Sequence, residues 1–371
     1  MALSLPTAEQ WAAKCAADGE FQQAARHWDG GLCLRIGDVV LEIALQDGEV
    51  RAGAAQRRAA VVTYSGAEEV WTKLLAEVPE RFHNDLVANL SAGGGLYRET
   101  EPVVHAQYYP AIMRAVELLR PEPAQYPLRQ GEVGEAGRFD TPVGRYVHLN
   151  LGGFDHRIYF EEAGQGIPLL MQHTAGCHGS QWRHLFEVPE ITERFRLIAY
   201  DLPCHGKSVP PVEQQWWSET YNLRGDFLRS VAIKLAQALE LHEPVFMGCS
   251  VGGLLALDLA HKHADQFRAV ISVEGALKIE GSHAQLGELW HPQVSNEYKA
   301  RLMDGLMSPV SPKPYRKETS FVYASGWPPA FLGDLNYYEE DYDLRDCAWE
   351  IETSQVAVHI LSGEYDYSGT S

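Results

Sequence analysis

The chain has 371 residues, a formal net charge of −19 and 45% hydrophobic residues, enough for a sizeable core and for two domains or one decorated domain. So acidic a balance argues against nucleic acid and anionic membrane surfaces as partners, because both recruit Lys/Arg patches. The longest apolar runs are strand-sized and broken by charge, so no transmembrane helix is expected.

The opening segment reads as helix, with Trp11, Phe21 and Trp28 on its apolar side, and passes into the strand-like runs LCLRIGDVV and LEIALQDG. Asp47-Gly48 before EVRAG is a hairpin turn signal. AAVVTYSG reads as a further strand, while AEEVWTKLLAEV and the run from Tyr108 to Leu119 have helical spacing. Residues 1–119 thus form a small α+β accessory domain. The strand–strand–strand–helix order with W-x-x-L-L in the helix weakly resembles the sterol carrier protein type two-like fold, which would imply apolar-ligand binding or homo-oligomerisation through this domain. A packing role, with the aromatics filling the domain's own core, is the plainer reading. Residues 120–137 hold three prolines and mixed charge and read as a linker.

From residue 138 the pattern changes. Strands are expected at GRYVHLNL and HRIYFEEAG, then at Ile167–Met171, directly before His173-Thr174-Ala175-Gly176. The strand Phe195–Tyr200 runs into Asp201-Leu202-Pro203-Cys204-His205-Gly206-Lys207-Ser208. Glu243 to His263 is an apolar strand that stops at Gly248-Cys249-Ser250-Val251-Gly252 and turns at once into a helix-patterned run. FRAVISVEGA gives the next strand, and VAVHILSGEYD gives a strand ending in Gly363-Glu364-Tyr365-Asp366. Between these two lies an insertion, about 277–350, dense in aromatics and broken by prolines.

A serine between glycines on a sharp strand-to-helix turn is the arrangement that exposes a nucleophile at the top of a sheet. Together with the loop after the third strand, the turn after the fourth and the acid-bearing final turn, it resembles the α/β-hydrolase superfamily over about residues 140–371. The expected fold is therefore α/β: a mostly parallel sheet flanked by helices over 138–371, with the aromatic-rich insertion as a cap, behind the α+β N-terminal domain.

The resemblance implies roles. Ser250 would be the nucleophile, with the backbone amides of Val251 and Ala175 as oxyanion donors and Asp366 orienting the base. The base would be a histidine after the last strand. Only five residues follow Asp366 and none is histidine, so the base is expected beyond Ser371, together with one more helix and strand. His173, Thr174, Cys249 and Glu274 are candidates to line the site. His173 and His205 fit positions where the superfamily braces loops, and Cys249 points away from the apex as a small apolar filler.

The expected activity is hydrolysis of a carboxylic ester or lactone through an acyl-enzyme, on a small apolar or aromatic substrate held under the cap. The alternatives are a C–C bond hydrolase of ring-cleavage products, and a catalytically silent protein that binds apolar ligands or a partner chain. No cofactor or metal is implied, since the triad needs neither. Cysteines 15, 33, 177, 204, 249 and 347 form no C-x-x-C, so neither a metal site nor a disulfide framework is expected. The first 21 residues lack a basic region followed by a long apolar core, so no signal peptide and a cytoplasmic location are expected.

Overall fold

The computed structural model describes residues 3–55, 60–128, 136–279 and 286–368. Part of the expected linker (129–135) and part of the expected cap (280–285) lie outside the described residues. The chain divides into two compact units, 1–128 with 287–320, and 129–286 with 321–371.

In the first unit the opening segment is not one helix. Asp18 ends Ala8–Ala17 and caps Gly19–Ala25, its carboxylate accepting the Phe21 amide at 2.8 Å, because an aspartate side chain competes for backbone donors and favours a cap over a helix interior. Strands β1 (Gly30–Ile36), β2 (Val39–Gln46), β3 (Glu49–Ala52), β4 (Ala60–Gly66) and β5 (Tyr97–Glu99) form a sheet in the order β3-β2-β1-β4-β5. The run LCLRIGDVV is split between β1 and β2 by Gly37, whose φ of +56° turns the chain back. Asp47 and Gly48, at φ of +52° and +80°, close the β2–β3 hairpin as expected. The helix Pro102–Glu117 begins well before Tyr108. Trp11, Phe21, Trp28, Tyr64, Trp71 and Tyr109 are buried in this unit, and the Trp11 indole donates to the Ala115 carbonyl at 2.8 Å.

The division also departs from the expected cap. Residues 287–320 cluster with the first unit, where the helix Asn296–Asp304 packs on Pro102–Glu117 and Arg301 meets Glu117 at 2.6 Å. Buried charges need partners, and besides the nearby Asp304, Arg301 takes one that lies 184 residues earlier.

In the second unit, β6 (Val143–Leu151), β7 (Phe154–Gly164), β8 (Ile167–Gln172), β9 (Phe195–Tyr200), β10 (Val245–Cys249), β11 (Ala269–Val273) and β12 (Ala357–Leu361) form a sheet ordered β12-β11-β10-β8-β9-β7-β6. β6, β7 and β9 pair antiparallel, and all other neighbours are parallel. Leu169, Met171, Leu197, Ala199, Val245 and Met247 form one core cluster, which is why the parallel strands read as unbroken apolar runs. The chain goes from β8 outward to β9 and returns on the other side of β8 as β10. The loops after β8 and β10 therefore open a crevice at the carboxyl ends of the strands, the place where open α/β sheets bind ligands. No helix among the described residues is long and apolar enough to cross a membrane.

Candidate active site

β10 ends at Cys249, and Ser250 follows with φ +54° and ψ −108°, a conformation that L-residues rarely adopt. The Ser250 amide donates to the Val273 carbonyl at 2.8 Å, and its own carbonyl accepts the Leu254 amide at 2.8 Å, opening the helix Val251–Lys262. The tight turn leaves no room for side chains beside it. A Cβ on Gly248 would lie 2.1 Å from the Gly252 carbonyl oxygen, and one on Gly253 would lie 2.4 Å from that of Val273. Ser250 is thus held at the apex, at the positive end of the helix dipole.

The loop after β8 leaves a specific donor. The Thr174 amide donates to Gln181 Oε1 at 2.8 Å, the Gly176 amide to Asp334 Oδ2 at 2.7 Å, and the Cys177 amide to the Thr174 carbonyl at 3.3 Å. Among the described residues, the Ala175 amide has no protein acceptor, and neither has that of Val251 in the first helical turn. These are the two amides expected to receive an oxyanion.

His173 and Glu274 act as braces. His173 is buried, its Nδ1 donates to the Thr174 carbonyl at 2.8 Å, and its Nε2 accepts the Leu202 amide at 3.0 Å. With both nitrogens engaged, and burial and the nearby His205 pushing its pKa well below the ordinary range, it is a neutral link between the loops after β8 and β9 and not a base. Glu274, at φ +53°, accepts the Gly363 amide and so ties β11 to the loop that carries Asp366. Thr174 is buried in the loop after β8. Burial pushes the Cys249 thiol up to about 12, so it is inert at neutral pH.

The turn after β9 is organised by Asp201, whose carboxylate accepts the Gly179 and Lys207 amides at 2.7 Å each, and by Ser208, whose Oγ donates to the Asp201 carbonyl at 2.9 Å. Asp366 is buried and accepts the amide and hydroxyl of Ser368 at 2.6 Å each. The hydrogen bond from the Gly363 amide to Glu274 holds this loop at the end of β11, the neighbour of β10 and its serine elbow.

Two residues escape sequence reasoning. Tyr338, one of many aromatics in the insertion, shares a hydrogen bond with Ser250 Oγ. Burial pushes its hydroxyl well up, so it stays protonated. It stands on a π-helical turn, Tyr337–Asp341, gathered by Lys278, whose ammonium donates to the carbonyls of Tyr338 and Glu339 at 3.0 Å each and of Tyr342 at 2.8 Å. The second residue is Asp334, in the helix Ala330–Asn336, fully buried against the loop after β8. Only a π-sized break in helical periodicity could have pointed to Tyr338, and nothing local marks Asp334.

Residues 167–346 match the family model described as alpha/beta hydrolase fold. The chain is 27% identical over 205 residues to a pimeloyl-[acyl-carrier protein] methyl ester esterase of Vibrio vulnificus (strain CMCP6), covering 51% of this chain and 73% of the relative. It is 31% identical over 149 residues to a 2-hydroxymuconate semialdehyde hydrolase of Pseudomonas sp. (strain CF600), covering 40% of this chain and half of the relative. Among solved structures, a thermophilic esterase from Thermogutta terrifontis aligns with a TM-score of 0.51 at 18% identity, over 61% of this chain and 82% of the other, a likeness of fold.

Proposed function

Since residues 167–346 belong to the α/β-hydrolase family, we propose that this protein hydrolyses a carboxylic ester or lactone through an acyl-enzyme on Ser250. The observation that carries the proposal is the elbow itself: Ser250 at a strained apex, followed at once by the Val251 amide, which, like the Ala175 amide in the loop after β8, lacks a protein acceptor among the described residues. The methyl ester esterase among the relatives supports an ester as substrate.

In the proposed reaction Ser250 Oγ adds to the carbonyl carbon while its proton passes to a histidine base oriented by Asp366. The carbonyl oxygen becomes an oxyanion facing the Val251 and Ala175 amides, and each such donor is worth about 2.7–4 kcal/mol in the transition state. Collapse expels the alkoxide, which takes the proton from the histidine, and leaves acyl-Ser250. Water then repeats the sequence and releases the acid. Tyr338, bonded to Ser250 Oγ without substrate, must turn aside or re-aim its hydroxyl when the ester enters.

Hydrolysis of a C–C bond is the second reading, favoured by the semialdehyde hydrolase among the relatives. It would show as turnover of vinylogous diketones with little turnover of simple esters. The test of the main reading is fluorophosphonate labelling of the full-length protein, followed by intact mass. One phosphonyl group should add to the wild type and none to Ser250→Ala. An unlabelled wild type would sink catalysis by Ser250 and leave a binding protein as the better account.

A further inference from the structure

Asp334 has no solvent exposure, yet three donors converge on its carboxylate. Oδ2 accepts the Gly176 amide at 2.7 Å and His205 Nε2 at 2.9 Å, while Oδ1 accepts the Tyr221 hydroxyl at 3.0 Å. The other ring nitrogen of His205 faces the Pro203 carbonyl at 3.0 Å. Both nitrogens of His205 face oxygen acceptors, so both carry protons and the ring is an imidazolium. Asp334 and His205 are thus a compensated buried ion pair, and an anion beside the oxyanion loop costs the transition state little.

The helix that carries Asp334 also presses on the same loop. Gly176 sits at φ +58°, and a Cβ there would lie 2.8 Å from the Phe331 Cβ. The peptide plane that contains the Gly176 amide adjoins, through the single Cα of Ala175, the plane that contains the Ala175 amide. Fixing the first limits the aim of the second to one pair of dihedrals.

We propose that Asp334 is a positioning residue for the oxyanion hole: through its hydrogen bond to the Gly176 amide, the insertion sets the orientation of the Ala175 donor toward Ser250. The inference rests on the hydrolase reading above. It deepens that reading by making the insertion a working part of the acyl-transfer site as well as its cover.

The test compares Asp334→Ala and Asp334→Asn with wild type in the full-length protein, using p-nitrophenyl acetate turnover and Ser250 phosphonylation. In Asp334→Asn the new side chain can present its amide oxygen to Gly176 and His205 and its NH2 to the Tyr221 hydroxyl, so the conservative variant should restore aim. Expected are a loss of about 10–100-fold in kcat with KM little changed for Asp334→Ala, since loosening a donor costs less than the roughly 10²–10³ of deleting one, and recovery of most of that loss in Asp334→Asn. A folded Asp334→Ala variant within about 3-fold of wild type in kcat, or one altered only in KM, would overturn the proposal. Hydrogen exchange at the Gly176 amide gives a readout independent of turnover: protected in wild type, exposed in Asp334→Ala and protected again in Asp334→Asn. If wild type neither turns over ester nor reacts with phosphonate, but shows this exchange pattern, the hydrolase reading fails while the positioning of the loop by Asp334 stands. Equal exchange in all three sinks the positioning role itself.

Discussion

At the residue scale the active-site candidate is defined by conformation as much as by chemistry. Ser250 holds φ +54° without being glycine, a state that costs about 1–3 kcal/mol and persists only because the surrounding turn enforces it. Ser250→Gly should therefore be more stable than Ser250→Ala, which equally lacks the hydroxyl bonded to Tyr338, by about 0.5–2 kcal/mol, the strain relief less glycine's entropy, and neither should take up fluorophosphonate. A melting temperature for Ser250→Gly equal to or below that of Ser250→Ala would show that the apex is unstrained. Tyr338→Phe removes one neutral hydrogen bond from Ser250 Oγ, and such bonds are worth about 0.5–1.5 kcal/mol, so phosphonylation should change by no more than about 10-fold. A loss beyond about 100-fold would instead make the Tyr338 hydroxyl an oxyanion donor, by the usual worth of such donors. Ser250 was legible in the sequence because its strain needs glycines within a few positions. Tyr338 lies 88 residues away and was not, because an aromatic in an insertion carries no local mark of what it faces.

At the element scale, β8, β9 and β10 end together, and each supplies one loop: the His173–Gly176 loop, the Asp201–Ser208 turn and the serine elbow. His173 and Asp201 join these loops by hydrogen bonds, so their geometry follows from the sheet. The strands were legible, since buried parallel strands are continuous apolar runs. The π-helical turn around Tyr338 depends on one ammonium shared by three carbonyls. Lys278→Met keeps the stem and deletes the charge, and should cost about 1.5–3 kcal/mol, with faster amide exchange confined to residues 337–342. Unchanged stability in urea unfolding would mean that the turn is held by packing alone.

At the scale of the whole molecule, the two units differ in how they handle charge. The first unit surrounds Glu117 with Arg301 at 2.6 Å, Arg114 at 3.2 Å and Arg120 at 3.9 Å. Burial works against the charged carboxylate, but these cations outweigh it and hold Glu117 down to about 2, below its usual 4.5. A depressed folded value means that the stabilisation is complete above the unfolded pKa and is lost as pH falls through the folded one. The thermal transition of the first unit should thus drop between about pH 5 and pH 2, and Glu117→Gln, less stable at neutral pH, should show a flatter decline in calorimetry. An identical pH slope in the two proteins would remove Glu117 from the account. The second unit contains the opposite case. His205 is lowered by burial but raised on balance by Asp334, so its contribution is full below the ordinary histidine value and is lost as pH rises through the raised one. Asp201, His173, His178, Cys204 and Tyr221 also face this pair and contribute to the slope. Asp334→Asn should flatten the decline in stability on the alkaline side, measured by chemical denaturation from about pH 6 to 9.

What the amino-acid sequence determined by itself was everything encoded over a few residues. Apolar runs specified the parallel strands, Asp47-Gly48 specified a hairpin, and Gly248 to Gly253 specified an elbow with Ser250 at its apex, because backbone strain and hydrophobic periodicity are local properties. What only the tertiary structure decided was which distant groups meet. It sent residues 287–320 to the first unit, where Arg301 finds Glu117, and it brought Asp334 to Gly176 and Tyr338 to Ser250. Those pairings are separated by 184, 158 and 88 residues, and they form where packing leaves a buried charge or hydroxyl a partner, a condition no window of sequence contains.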